Sequence, residues 1–313
     1  MTTRTLTADR PGPVLLSIDL PAGDITVTAD PDRQTAELTI TALGDDPAVN
    51  DAVERASLRW DADRGTLTAE VPEVRGTGRT VIDSRGGTTI TQILGDVPAG
   101  VTITGAVITG GTVSVGGGAV VVNGAVVAGG AIEINARVPE GSRVAARTRS
   151  AALTAHGEYA EVRFTSVSGD LTVGGTVTLT TETTSGDVRA AAVDGSAEVR
   201  SVSGDIRLDR ADDVQAQTTS GDITLADVGG LVATGTVSGD ITVHAAEGGT
   251  VGARSVSGDV TVTATPTALA EGLTVRADSR TGRVTTPDTQ PVVSAARPRR
   301  PRRGTGGGEN TLR

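Results

Sequence analysis

Apolar and polar positions alternate in short runs along most of this chain, and the runs themselves recur. Leu171-Thr172-Val173, Val188-Arg189-Ala190, Ile206-Arg207-Leu208, Ile223-Thr224-Leu225, Ile241-Thr242-Val243 and Val260-Thr261-Val262 each read apolar, polar, apolar. That is the period of a strand with one buried face. Each run follows a Ser-Gly-Asp triplet, with glycines at Gly169, Gly186, Gly204, Gly221, Gly239 and Gly258. The steps between these glycines are 17, 18, 17, 18 and 19 residues. Seven residues before each glycine lies a further apolar position: Val162, Leu179, Ala197, Val214, Val232 and Val251. The in/out parity breaks across Ser-Gly-Asp, which places a corner there, with Gly supplying backbone freedom and Asp a turn hydrogen bond. A second corner falls near Gly174-Gly175, Asp194-Gly195, Gly229-Gly230 and Gly248-Gly249.

Strand-length units at a near-constant step predict stacked coils, each burying its apolar face only when neighbours are present. The fold class expected is all-β: a single-stranded parallel β-helix, about 17–19 residues per rung, right-handed by the general preference for right-handed crossovers. Residues 12–80 read as degenerate N-terminal rungs, because PAGDITVTAD at 21–30 carries the same Gly-Asp-Ile-Thr-Val run. One short helix is expected over 46–58, with Asp46 as cap, Pro47 in the first turn and Val49, Ala52, Val53 and Ala56 as its apolar stripe. Its predicted place is over the open end or side of the solenoid. Residues 81–150 read as Gly/Val-rich rungs, 151–285 as the regular repeats, and 286–313 as a disordered Arg/Pro/Gly-rich tail.

Composition sharpens this picture. Trp60, Tyr159 and Phe164 are the only aromatics, so Val, Ile, Leu, Ala and Thr must fill a narrow core. There is no cysteine, which removes disulfide and thiolate chemistry. All 28 basic residues are arginine, in keeping with a high-GC bacterial genome. Residues 97–132 carry no charge, yet Gly, Thr, Ser and Asn break every long apolar run, so a spanning helix is not expected. That stretch reads either as further rungs or as a surface for self-association. The N-terminus lacks the apolar core of a signal peptide, so a cytoplasmic protein is expected.

The SVSGDI/TTSGDV repeats, the Gly-Asp-Ile-Thr-Val start, and VPEGSRVAARTRSAAL running into SVSGDL resemble a bacterial family of β-strand repeat proteins described as putative adhesins. The resemblance covers roughly residues 12–285. It implies a β-helical fold and an interaction or surface role, and it carries no catalytic residues to transfer.

The candidate chemistry is sparse. The column Asp170, Asp187, Asp205, Asp222, Asp240 and Asp259 would set carboxylates one rung apart, about 4.8 Å. Their repulsion is offset either by divalent cations or by backbone N–H groups within each turn. The second reading is preferred, since the nonapeptide spacing of calcium-binding β-rolls is absent, and no metal or cofactor is expected. His156 and His244 lie in no base-and-orienter motif, and the Gly116–Gly118 run lacks the Lys-Ser/Thr of a phosphate loop. An enzyme is not expected; a carbohydrate-active one is the catalytic alternative. The net charge is −10, and residues 297–313, with six arginines and one glutamate, hold +5 of it, leaving −15 for the rest. An acidic body repels nucleic acid and anionic membrane, so any polyanion binding is assigned to Arg297, Arg299, Arg300, Arg302 and Arg303. The function expected is a non-catalytic scaffold or interaction protein with an unknown protein or surface partner; the alternative is a self-assembling β-helical polymer.

Overall fold

The computed structural model describes residues 1–74 and 131–287, together with the backbone of three short strands between 113 and 128. The chain is mostly β and solenoid-like, with 17 strands in one continuous sheet. In order, the elements are β1 (Thr3–Thr7), β2 (Leu15–Leu20), β3 (Asp24–Asp30), β4 (Glu37–Leu43), α1 (Pro47–Arg55), β5 (Ser57–Asp61), β6 (Thr66–Glu70), β7 (Val113–Gly116), β8 (Ala119–Val122), β9 (Ala125–Ala128), β10 (Ala131–Pro139) and β11 (Arg143–Thr148). Then follow the long strands β12 (Ala152–Thr165), β13 (Leu171–Glu182), β14 (Val188–Arg200), β15 (Ile206–Gln217), β16 (Ile223–Gly235) and β17 (Ile241–Ser255), and finally β18 (Val260–Ala264), α2 (Pro266–Ala270), β19 (Thr274–Ser279) and β20 (Val284–Thr285).

Each long strand is one rung bent in the middle. Its first half lies on one face and its second half on the opposite face, and both halves pair in parallel with the rungs before and after. The alternating residues point into the space between the faces. The column Leu171, Val188, Ile206, Ile223, Ile241, Val260 is buried throughout, as is the facing column Val162, Leu179, Ala197, Val214, Val232, Val251. The Ser-Gly-Asp corner keeps a fixed register. The mid-strand corner does not: shifts occur at Ala155/Glu158, Thr176/Thr178, Val193/Ser196 and Ala211/Val214. These bulges absorb the one-residue variation in the repeat step.

The rungs do not stack in chain order. β2 and β3 form one rung, wedged into the stack far from their sequence neighbours. On one face β3 lies between β10 and β12; on the other β2 lies between β6 and β11. β6 and β10 supply the two halves of the next rung out, although some 60 residues separate them. Beyond it the pairing turns antiparallel: β4 on β10, β1 on β4, and β5 on β6. The expectation of parallel rungs throughout residues 12–80 therefore does not hold at this end. β7–β9 form a separate antiparallel sheet, so they are not parallel rungs either. Antiparallel neighbours need only a hairpin connection, whereas a parallel rung needs a full circuit of chain.

α1 lies against this antiparallel end. The Asp46 side chain accepts from the Ala48 N–H at 2.9 Å, and Val49, Ala52 and Val53 are buried. The Arg4 guanidinium donates to the Glu54 carbonyl at 2.9 Å and to the Ala56 carbonyl, satisfying acceptors that a helix C-terminus leaves free. Among the described residues, no helix is long and apolar enough to cross a membrane.

Candidate interaction surface

The repeating corner concentrates the polar residues of the sequence motif, and each motif position has its own task. The first, a Ser or Thr, is buried: Ser166, Thr183, Ser201, Thr218, Thr236 and Ser255 form an internal hydroxyl row. Ser166 Oγ accepts from the Gly169 N–H at 2.8 Å, Thr183 Oγ1 from Gly186 at 3.0 Å, and Ser201 Oγ from Gly204 at 2.8 Å. The third position donates its N–H to the rung below, as from Ser185 to the Val167 carbonyl and from Ser220 to the Val202 carbonyl, both at 2.9 Å.

The glycines serve a purpose different from the one expected. None of the six has a positive φ. A Cβ on Gly186 would lie 2.0 Å from the Gly169 carbonyl oxygen, and on Gly258 2.0 Å from that of Gly239. Each glycine is there so that it can press directly onto the backbone of the preceding rung. Gly23 and Gly282 sit in the same row, where a Cβ would lie 2.1 Å from the Ile132 carbonyl oxygen and 2.0 Å from that of Gly258, respectively. They mark corners at either end of the repeat block.

The aspartates form a ladder. Asp170 Oδ1 accepts from the Asp187 N–H at 2.9 Å, Asp187 Oδ1 from Asp205 at 3.1 Å, and Asp205 Oδ1 from Asp222 at 2.9 Å. The row continues from Asp222 to Asp240, Asp240 to Asp259 and Asp259 to Arg283, at 2.8, 2.7 and 2.7 Å. The expected bond within the same turn is thus a bond to the next rung. Arg283, at the aspartate position, offers no carboxylate, so the ladder stops there. A charge-assisted bond to each amide offsets part of the repulsion between neighbouring carboxylates. Among the described residues, no group of three or more His, Asp or Glu side chains is placed to hold a metal ion.

The corner shows its second and third positions and its aspartates to solvent, and the apolar part of that surface is the second position. Val167, Val202 and Val237 are about half exposed, at 51%, 47% and 49%, and Val256 follows at 38%. Thr184 and Thr219 fall between them. The result is an apolar and hydroxyl-bearing ridge along one edge of the stack. Beside the ridge, Arg189 and Arg207 are direct neighbours across β14 and β15. Arg189 is paired to Asp187 of the corner before it and Arg207 to Asp209 on its own strand, both at 2.9 Å. They line a shallow depression of about 180 Å³ with Asp205, Ile206, Asp222 and Thr224.

The histidines remain apart from this surface. His156 is exposed at the β12 bulge, where its carbonyl accepts from the Tyr159 hydroxyl at 2.9 Å. Burial raises the Tyr159 phenol above its ordinary range. His244 Nδ1 lies 2.8 Å from Thr263 Oγ1. Arg297, Arg299, Arg300, Arg302 and Arg303 lie outside the described residues, as does most of the 97–132 stretch with Gly117 and Gly118.

Bent rungs, a corner built for close stacking and a repeating outer edge define a solenoid-like β-repeat protein. The chain belongs to the Toastrack DUF4097 family, whose model matches residues 101–300. Among solved structures it is similar to a putative lipid binding protein from Parabacteroides distasonis ATCC 8503, at 10% identity and a TM-score of 0.39, covering 91% of this chain and 96% of that one. A putative adhesin from Parabacteroides merdae ATCC 43184 matches at 10% identity and 0.39, covering 91% and 95%. One from Bacteroides fragilis NCTC 9343 matches at 12% and 0.35, covering 91% and 97%. No curated protein matches the chain.

Proposed function

We propose that the protein is a non-catalytic, adhesin-like scaffold that meets its partner through the repeated outer edge of the stack. The observation that supports this most directly is the ladder itself: the motif's carboxylates are each engaged by a backbone N–H of the adjacent rung. The residues that a catalytic reading would recruit first are thus the ones that hold the corner together. The Val/Thr ridge and the Arg189–Arg207 pair face outward beside them. Exposed apolar positions repeated at a fixed interval suit an extended partner. The reading includes a right-handed, single-chain winding of the rungs.

The test uses the full chain on arrays of immobilised polysaccharides and on lipid vesicles, beside the double variant Val202→Arg/Val237→Arg. Binding that the variant loses without a change in melting temperature is the expected result. Binding that the variant keeps removes the ridge from the interface. Release of new reducing ends from any polysaccharide replaces the scaffold with an enzyme, and filaments in electron micrographs replace it with a polymer.

A further inference from the structure

Among the described residues, the main sheet has four strands that pair on one side only: β1, β5, β19 and β20. A free edge offers its N–H and C=O groups to any further strand, and proteins blunt such edges with charge, brevity or proline. β5 carries Arg59 and Asp61, β19 carries Arg276 and Asp278, and β20 is two residues long. β1 reads Thr3-Arg4-Thr5-Leu6-Thr7, with the three threonines exposed. Its one charge, on Arg4, is taken up by the carbonyls of Glu54 and Ala56 at the end of α1. The outer face of β1 therefore lacks the devices that guard the other three edges.

The pairing with β4 fixes which backbone groups of β1 are free. The Thr2 carbonyl accepts from the Ala42 N–H, and the Ala8 N–H donates to the Ala36 carbonyl, both at 2.8 Å. Backbone groups alternate in direction along an antiparallel pair. Residues 2, 4, 6 and 8 thus face β4, while the N–H and C=O of Thr3, Thr5 and Thr7 point to the open edge.

We propose that this edge is an interface with a second copy of this chain, β1 lying antiparallel on the partner's β1 about a two-fold axis at Thr5. Thr5 then faces the partner's Thr5, and Thr3 faces the partner's Thr7. Each facing pair exchanges two hydrogen bonds, so every free N–H and C=O of the three threonines is satisfied. An axis at Arg4 or Leu6 leaves one facing pair fewer, and at Arg4 it also sets two arginines opposite each other. The outward side chains repeat what β1 already does with β4, where Thr5 Oγ1 lies 3.1 Å from Thr39 Oγ1 and Thr3 opposes Thr41. Inward, the partly buried Leu6 comes beside the partner's Arg4, whose aliphatic stem covers apolar surface. A contact that uses the same patch on both copies closes at two. It is also short, so the dimer forms as concentration rises rather than permanently.

Sedimentation velocity on the full chain, from about 1 µM to about 500 µM, should show one chain turning into two and nothing larger. Thr5→Pro deletes the central outward N–H and keeps the bonds to β4, a change that a free strand edge tolerates. Thr5→Lys sets like charges face to face. Each should raise the concentration needed for the dimer by about tenfold or more, with the melting temperature unchanged. Because the chain has no cysteine, Thr5→Cys should join two copies by a disulfide, since a hydrogen-bonded antiparallel pair holds its Cα atoms about 5.5 Å apart. Thr172→Cys, exposed at the start of β13, should not. A chain that stays monomeric at every concentration overturns the proposal, as do dimers that both Thr5→Pro and Thr5→Lys leave unchanged. Equal cross-linking of the two cysteine variants, or species that grow beyond the dimer, also overturns it. None of these variants touches the Val/Thr ridge, so the result is separate from the function proposed for that edge.

Discussion

Gly221→Ala isolates the demand that one rung makes on the next. The new Cβ would sit 2.1 Å from the Gly204 carbonyl oxygen and 2.7 Å from its carbon. Relief requires the corner to open by about 1 Å to reach an ordinary contact. Three bonds cross that corner at 2.9 Å: Ser220 N–H to the Val202 carbonyl, Asp222 N–H to Asp205 Oδ1, and Ile206 N–H to the Asp222 carbonyl. An opening of that size takes them past useful hydrogen-bond length. At about 1 kcal/mol for each bond, plus about 1–2 kcal/mol of residual strain, the loss is about 4 kcal/mol. Gly235→Ala is the control. It lies in β16 without a positive φ, and the nearest atom to its Cβ would be the Arg254 carbonyl oxygen at 3.9 Å. There the change should be neutral or stabilise by about 0.5 kcal/mol through the unfolded chain. Urea titrations followed by far-ultraviolet circular dichroism, compared at equal slope, give both values. A Gly221→Ala loss no larger than that of Gly235→Ala would refute close stacking as the reason for the glycine.

Ile223→Asp should lower stability by about 3 kcal/mol or more, because it buries an unpaired charge, whereas Thr224→Asp on the outer face should change it by less than about 1 kcal/mol; equal melting temperatures would reverse the inward and outward assignment. The Asp24 carboxyl titrates above its ordinary value, through loss of water first and the Glu133 charge second. Its stabilising, protonated form is complete below the ordinary carboxylate range and is lost as pH rises through the raised value. Asp24→Asn should therefore raise the melting temperature at neutral pH and lose that advantage near about pH 4. Replacing Arg297, Arg299, Arg300, Arg302 and Arg303 with Ser in the full chain should abolish any retention on DNA or anionic vesicles, and the parent's retention should fall steeply with salt; equal retention by both chains would move that affinity onto the solenoid.

The inward columns are legible in the sequence itself, because a period of two within each unit and a step of 17–19 residues between units leave little freedom for what faces the core. The function of the glycine is not. A glycine required for φ and one required for lack of a Cβ look alike in a sequence, and only the approach of the Gly204 carbonyl to Gly221 separates them. The corner at Thr148–Ala152 is disguised by Ala-Ala in place of Gly-Asp, and the one at Ser279–Arg283 by its arginine and by the α2 segment, which stretches the preceding step to 24 residues. Of the candidate surface, the exposed valines are present in the motif, but the pattern does not mark them, because the corner's geometry decides which way they point. The position of β2 and β3 has no local signal at all: the β11 and β12 strands they pair with are more than 100 residues away.

That displaced rung sets the order of synthesis against the order of space. β2 and β3 leave the ribosome about 120 residues before β11 and β12, which at about 5–20 residues per second is a wait of roughly 6–24 s. During it, Leu16, Ile18, Leu20, Ile25 and Val27 lack the parallel neighbours that β10, β11 and β12 later supply. The six regular rungs can zip onto one another as each emerges, but the wedge on which they rest is assembled from pieces made at different times. Slow translation should therefore expose the N-terminal third to proteases or to chaperones, while leaving the repeat block indifferent to the pace at which it is made.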